Sequence, residues 1–195
     1  WTPALVGVNV ASFLLQCVSA DWEEVGALDS GSWSAPHRLF LSAFLHANLY
    51  HLFMNMSALM RYGGEIERLF GPGRFLLVYF AGIAVGSAVS VASKLVLERR
   101  RRAPQPASVG ASGGILGLLA GLTMFAWLHG FPLDGVLNPL FFYLVIGAST
   151  GVDVMAHLGG ALGGALVAFL WGPRYVVGWG GLVVYDMPLL AWPLW

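Results

Sequence analysis

Long apolar stretches separated by short polar segments dominate the chain. A helix needs about 20 mostly apolar residues to cross a bilayer, and six stretches reach or nearly reach that length. They run from Pro3 to Ala20, Leu39 to Tyr62, Phe75 to Leu97, Ser108 to Leu128, Val136 to Thr150, and Val152 to Trp171. They lack the alternation of a barrel strand, and only helices and closed barrels satisfy the backbone in lipid. The pattern predicts an all-α membrane protein with a bundle of six transmembrane helices.

The connections between these stretches suggest where the core ends. We assign residues 1–172 to the six-helix core, with a tight join between the fifth and sixth helices around residues 149–151. Residues 173–195 are apolar but interrupted by Asp186 and two prolines, which predicts an interfacial or loosely packed tail, with a seventh span as the alternative. The chain begins at Trp1 without a basic leader, so we expect a fragment whose targeting segment lies outside it.

Composition and charge narrow the class of protein. The chain is 57% hydrophobic and 10% charged, whereas a soluble domain carries about 25% charged residues. Ten basic and ten acidic residues give a net charge of zero, which offers no argument for a nucleic-acid partner. The single cysteine, Cys17, excludes an internal disulfide. We therefore expect an integral membrane protein that is embedded in the lipid bilayer. We also expect no cofactor and no metal.

A serine and a histidine lie within the predicted spans. Polar groups at membrane depth are costly and tend to be functional, and this residue pair suggests a nucleophile with its general base. Ser112 falls at the start of the predicted fourth helix, where unpaired N–H groups and the positive dipole end suit an oxyanion. His157 falls in the predicted sixth helix. An ordinary packing role for Ser112 among glycines remains the alternative.

A second polar group occupies the predicted second helix. His51 and Asn55 are four residues apart and therefore share one helix face. His46 lies nearer to the entry of that helix. Each of the three alone could form an interhelical hydrogen bond. Together they predict a polar cavity.

Small residues follow both the serine and the histidine at four-residue spacing. The two stripes are Gly113, Gly117 and Gly121 in the fourth helix and Gly160 and Gly164 in the sixth. Small residues allow two helices to approach closely. If the stripes meet, Ser112 and His157 come within hydrogen-bonding distance. Each stripe alone is also typical of ordinary bundle packing.

Asp153 lies four residues before His157 and thus on the same helix face. We expect it to cap the sixth helix at the membrane surface. The alternative is that it orients the imidazole as the third member of a catalytic triad.

Four segments, in this order along the chain, resemble the motifs of the rhomboid intramembrane serine proteases. They are His46 to Met56, Gly64 to Gly71, Gly110 to Gly113, and Val152 to Gly160. The resemblance extends over residues 3–172 and implies a rhomboid-like bundle. One departure concerns the first loop, where many members have a Trp-Arg pair and this chain has His37 and Arg38.

The resemblance also implies residue roles. Ser112 and His157 would form a catalytic dyad, and His51 and Asn55 would stabilise the oxyanion. The implied supporting residues are His46, Gly110, Gly113, Gly160, Gly164 and Glu67, the last bracing the turn after the second helix. The implied activity is a serine endopeptidase that hydrolyses peptide bonds in or near transmembrane helices of membrane-protein substrates.

Two other functions and one conflict remain open. The chain could be an inactive relative that binds and routes transmembrane clients, or a small transporter that uses the polar cluster as an ion path.

The family topology places the active site on the outer or lumenal side. It then places six basic residues on that side and four on the other, against the positive-inside tendency.

Overall fold

The computed structural model describes residues 1–19, 21–149, 153–177, 184–186 and 188–190. The predicted join at residues 149–151 therefore lies mostly outside the described residues, as does much of the predicted tail. The described part is a mostly helical bundle with one small sheet.

The described residues form α-helices, short 3₁₀ and π-helical segments, and one pair of strands. The α-helices are α1 (Thr2–Val18), α2 (Asp21–Gly26), α3 (Arg38–Leu41), α4 (Leu49–Ala58), α5 (Gly64–Phe70), α6 (Pro72–Arg101), α7 (Ser112–Leu128), α8 (Asp134–Ser149) and α9 (Val154–Trp171). Two 3₁₀ turns span Ser32–Ser34 and Ser42–Phe44, and a π-helical segment spans Leu59–Gly63. The strands β1 (Tyr175–Val177) and β2 (Val184–Asp186) pair in antiparallel fashion.

The second predicted span was placed too early. Its helix α4 begins at Leu49 rather than Leu39, and the preceding residues form the short α3 and a 3₁₀ turn. The cause is Asn48, whose side chain accepts a hydrogen bond of 2.8 Å from the backbone N–H of His51. Asparagine at this position stabilises a helix start. Hydropathy alone does not distinguish the apolar residues before such a cap from those after it.

The polar segment between the second and third predicted spans, at residues 63–74, is mostly helical. Helix α5 ends at Phe70, and the reversal is made by Gly71, whose φ of 78° suits a residue without a Cβ. Pro72 then starts α6, since proline is favoured in the first turn of a helix. Helix α6 continues past the predicted end at Leu97 to Arg101.

Two described helices, α6 and α9, are both long and apolar enough to cross a membrane. Helices α1 and α7 are apolar but have 17 residues each. At about 1.5 Å per residue they extend about 25 Å, slightly less than the roughly 30 Å hydrocarbon core. The count of six spans therefore stays a prediction.

The centre of the bundle is the packing of α7 against α9, with α6 against both. A Cβ built on Gly160 would collide with the backbone of Gly113, and one built on Gly164 would collide with Gly117. The two predicted small-residue stripes therefore meet backbone to backbone. Helix α6 joins them through Gly82, where a Cβ would lie 2.8 Å from the Gly113 carbonyl oxygen.

The described part of the tail lies against the helix ends opposite the start of α7. Asp186 forms an ion pair with Arg74 at the start of α6. The Tyr175 hydroxyl donates a 2.8 Å hydrogen bond to the carbonyl of Leu69 in α5. Residues 178–183, 187 and 191–195 lie outside the described residues, so the boundary at residue 172 stays a prediction.

The glycine packing generates a stability prediction. Gly164→Ala should destabilise the protein by about 1–3 kcal/mol, because the methyl group meets the backbone of Gly117, which cannot rotate away. The measurement is the SDS fraction at which the purified protein unfolds. The matched control is Gly7→Ala in α1, where a Cβ has open space within 4 Å and alanine favours the helix. Equal unfolding midpoints for the two variants would contradict the close contact between Gly164 and Gly117.

Candidate functional site

A serine and a histidine meet at the top of the α7–α9 contact. Ser112 is the first residue of α7, and His157 lies in the first turn of α9. The imidazole Nε2 lies 2.8 Å from the Ser112 hydroxyl oxygen. His157 is 4% exposed, so bulk solvent reaches little of its ring. The close packing below, at Gly113 and Gly160, brings two short side chains within hydrogen-bonding distance.

No carboxylate among the described residues is hydrogen-bonded to the other ring nitrogen of His157. Its Nδ1 is buried and has no hydrogen-bond partner among the described residues. Asp153 caps α9 instead, since its Oδ1 accepts a 3.0 Å hydrogen bond from the backbone N–H of Ala156. The capping prediction for Asp153 is confirmed. Among the described residues, Ser112 and His157 thus form a hydrogen-bonded pair without a third, acidic partner on the imidazole, so the triad alternative receives no support.

Two further predicted residues lie beside the pair. The Asn55 side chain donates a 3.0 Å hydrogen bond to the carbonyl of His51, which fixes both on one face of α4. Gly110 has a φ of 130°, and a Cβ there would lie 2.6 Å from the His51 ring. Its N–H donates a 2.8 Å hydrogen bond to the carbonyl of Ser42. The loop before Ser112 thus packs directly on the His51 imidazole.

These side chains share one cavity of about 590 Å³. Its polar lining includes Ser112, His157, His51, Asn55, Asn48 and Asp153. Irregular backbone at membrane depth is tolerated where it lines a water-filled space, which fits the loop from residue 105 to residue 110 along this cavity. A space of this volume with a polar lining can hold several water molecules.

His46 lies behind His51. The two rings are 5.3 Å apart in an edge-to-face arrangement, and His46 is 2% exposed. Neither of its ring nitrogens has a hydrogen-bond partner among the described residues. Its backbone is held by Gln16 of α1, which accepts a 2.8 Å bond from the His46 N–H. His46 therefore buttresses the wall of the site.

Glu67 lies in α5, apart from the residues that line the cavity. Its carboxylate accepts hydrogen bonds from the backbone N–H of Thr2 at 2.9 Å and from the Thr2 hydroxyl at 3.0 Å. It therefore ties the segment after α4 to the beginning of α1.

A cluster of polar residues surrounds Asp153, which the sequence patterns do not predict. Its Oδ2 accepts hydrogen bonds from the hydroxyls of Ser90 and, at 2.7 Å, Ser108, and lies 3.2 Å from the Lys94 ammonium. Asp153 precedes the span that starts at Val154. Burial raises the pKa of Asp153, but these groups and the Ala156 N–H outweigh burial and lower it to about 2. The available signal was Lys94, an ionisable residue inside an apolar stretch.

The first loop, which connects α1 to α3 and contains Leu28, contacts the segment before Ser112. Leu28 and Ser108 exchange two backbone hydrogen bonds, of 2.9 and 2.8 Å. Arg38 holds this loop from α3, because its guanidinium donates to Asp29 at 2.7 Å and to the Glu24 carbonyl at 2.8 Å. The arginine of the His37-Arg38 pair thus organises the loop that pairs with the segment before Ser112.

The arrangement can activate a hydroxyl group. A neutral imidazole within hydrogen-bonding distance of a serine hydroxyl can remove its proton as the oxygen attacks. The first N–H groups of α7 have no partner within the helix, and its dipole is positive at that end. A negative charge that develops beside Ser112 would be stabilised there.

Comparison with known proteins gives a consistent result. The Rhomboid domain family matches residues 34–174. The chain is 33% identical over 175 residues to "RHOMBOID-like protein 6, mitochondrial" of Arabidopsis thaliana, covering 83% of this chain and 53% of that protein. It is 31% identical over 152 residues to "Rhomboid protease GluP" of Bacillus subtilis, covering 75% and 27%. It is 30% identical over 148 residues to "Putative rhomboid protease YdcA" of Bacillus subtilis, covering 72% and 68%. The chain thus spans about half of the Arabidopsis protein and less of GluP.

The contact between Gly110 and His51 generates a second prediction. Gly110→Ala should slow the reaction of Ser112 with a serine-directed fluorophosphonate at least about tenfold, because the methyl group displaces the His51 ring and shifts the loop before the serine. The measurement is the rate of adduct formation in detergent.

The matched control is Gly130→Ala. Gly130 also has a positive φ, of 69°, but a Cβ there has open space within 4 Å. Both variants carry backbone strain, so only Gly110→Ala tests the contact with His51. Equal labelling rates for the two would show that the contact is unimportant.

Proposed function

This chain belongs to the rhomboid family of integral membrane proteins, and we propose that it is an intramembrane serine endopeptidase. It hydrolyses peptide bonds in or near transmembrane helices of membrane-protein substrates. The observation that carries the proposal is the 2.8 Å contact between the His157 imidazole and the Ser112 hydroxyl, within a shared cavity. The family includes proteases, such as the Bacillus subtilis protein GluP.

The proposed reaction has two halves. In the first, His157 Nε2 accepts the proton of Ser112 while the serine oxygen attacks the carbonyl carbon of the scissile bond. The tetrahedral intermediate collapses, the C–N bond breaks, and the leaving amine takes the proton from His157. In the second, water attacks the carbonyl carbon of the resulting ester while His157 accepts a proton from it. The bond between the Ser112 oxygen and the acyl carbon then breaks, His157 returns the proton to the serine oxygen, and the acyl group leaves with a new carboxyl end.

Stabilisation of the oxyanion is assigned to three groups. They are the backbone N–H of Ser112, the side-chain amide of Asn55 and the imidazole of His51. The position of Ser112 at a helix start supports the first assignment. Asn55 and His51 line the same cavity as Ser112, which supports the assignments of their side chains. Gly110 is required because its backbone lies against His51.

We place this chemistry in a bundle of six transmembrane helices within residues 1–172. The spans would be α1, the α4–α5 segment, α6, α7, α8 and α9. The dyad lies at the starts of α7 and α9, so the cavity opens near one membrane surface and admits water from that side. A substrate helix must unwind locally to expose its peptide bond to Ser112, because helical carbonyl and N–H groups are paired with each other.

The third prediction tests this proposal. Ser112→Ala and His157→Ala should each abolish cleavage of a transmembrane test substrate in liposomes, because either change removes one half of the proton transfer. The measurement is product formation on gels. The matched controls are Ser34→Ala and His37→Ala, which alter an exposed serine and an exposed histidine.

Two outcomes would contradict the proposal. Cleavage at the normal rate by either dyad variant would exclude the dyad. A wild-type chain that binds the substrate helix without cutting it, and does not react with a fluorophosphonate, would instead support an inactive relative that binds and routes its clients. Unfolding curves of all the variants would establish that lost cleavage is not lost structure.

A further inference from the structure

A buried ion pair lies beside the site, between α6 and the N-terminal cap of α9. Lys94 Nζ lies 3.2 Å from Asp153 Oδ2, and the two side chains are 7% and 12% exposed. Burying an ion pair costs a large desolvation free energy, so such pairs are weak evidence of a stabilising role. The other hydrogen-bond partners of Lys94 and Asp153 indicate a role other than stabilisation.

Both charged groups bind the loop that leads into Ser112. Lys94 donates a 2.6 Å hydrogen bond to the Pro106 carbonyl and a 2.8 Å hydrogen bond to the Ser108 hydroxyl. The same hydroxyl donates a 2.7 Å hydrogen bond to Asp153. The loop is thus attached to the ion pair at two points.

The spacing along the chain connects this cluster to the reactive pair. Ser108 lies four residues before Ser112, and Asp153 lies four residues before His157. The Asp153 carbonyl accepts a 3.2 Å hydrogen bond from the His157 N–H, in the first turn of α9. One cluster therefore fixes the backbone that leads into each member of the pair. Ser90 attaches the same carboxylate to α6.

We propose that Asp153 is a positioning residue. With Lys94 and Ser108 it holds the loop before the nucleophile in register with the start of α9, and so sets how Ser112 meets His157. It acts through these groups, because its carboxylate forms no hydrogen bond with the His157 ring. This inference rests on the proposed function and goes beyond it, since it assigns control of the rate to residues outside the dyad.

The first test uses Ser108. Ser108→Ala should lower the fluorophosphonate labelling rate of Ser112 and the kcat for substrate cleavage about tenfold or more, with KM nearly unchanged, because a small misplacement of reacting groups is costly. Ser108→Thr keeps the hydroxyl and should recover most of the rate. Ser34→Ala, at an exposed serine, is the control. Labelling of Ser108→Ala at the wild-type rate would overturn the inference.

The second test separates positioning from folding. Asp153→Asn leaves the buried Lys94 without its counter-charge, which is strongly destabilising. The double variant Asp153→Asn with Lys94→Met removes both charges, so its unfolding midpoint should recover. Its labelling rate should stay low, because the loop has lost its bonds to the Lys94 ammonium and to the Asp153 carboxylate. Recovery of both the midpoint and the rate would overturn the inference.

The wild-type protein distinguishes failure of the inference from failure of the proposed function. A wild-type chain that neither labels nor cleaves overturns both. A wild-type chain that labels and cleaves, with Ser108→Ala and the double variant equally fast, overturns the inference alone.

Discussion

The structure depends on the absence of side chains between α7 and α9. At Gly160 and Gly164 the facing backbone of Gly113 and Gly117 occupies the space where a Cβ would stand. In lipid the hydrophobic effect does not drive helices together, so close packing and hydrogen bonds must do so. Backbone contact along this seam fixes the separation and register of the two helices. It thereby lets the Ser112 hydroxyl and the His157 imidazole reach each other at 2.8 Å.

The glycine contact between α7 and α9 positions the axes of the two helices. Polar groups near the starts of these helices position the backbone that leads into them. The loop before Ser112 is paired with the first loop through Leu28 and Ser108 and attached to α6 through Lys94. Charged side chains are costly near the membrane interior, and these are accommodated because each has several partners. The glycine contact and the polar cluster thus both determine the positions of Ser112 and His157, the first from within the helices and the second from the segments before them.

Much of this arrangement could be predicted from local patterns in the sequence. Apolar stretches indicated the helices, four-residue spacing indicated the glycine seam, and the position of Ser112 near the beginning of the fourth apolar stretch indicated a helix start. The same reasoning misplaced the start of α4, because an Asn48 cap inside an apolar stretch carries no hydropathy signal. It also missed the Lys94 cluster. Its members, Ser90, Lys94, Ser108 and Asp153, are up to 63 positions apart and meet only in the folded chain, so no local pattern relates them.

The central claim is that His157 activates Ser112. The most direct measurement is mass spectrometry of the chain in liposomes after treatment with a fluorophosphonate, comparing the wild type with His157→Ala. The account predicts a phosphonyl adduct on Ser112 in the wild type and its loss in the variant, with both proteins folded. Equal labelling of Ser112 in the two proteins, or an adduct on another serine in the wild type, would contradict it.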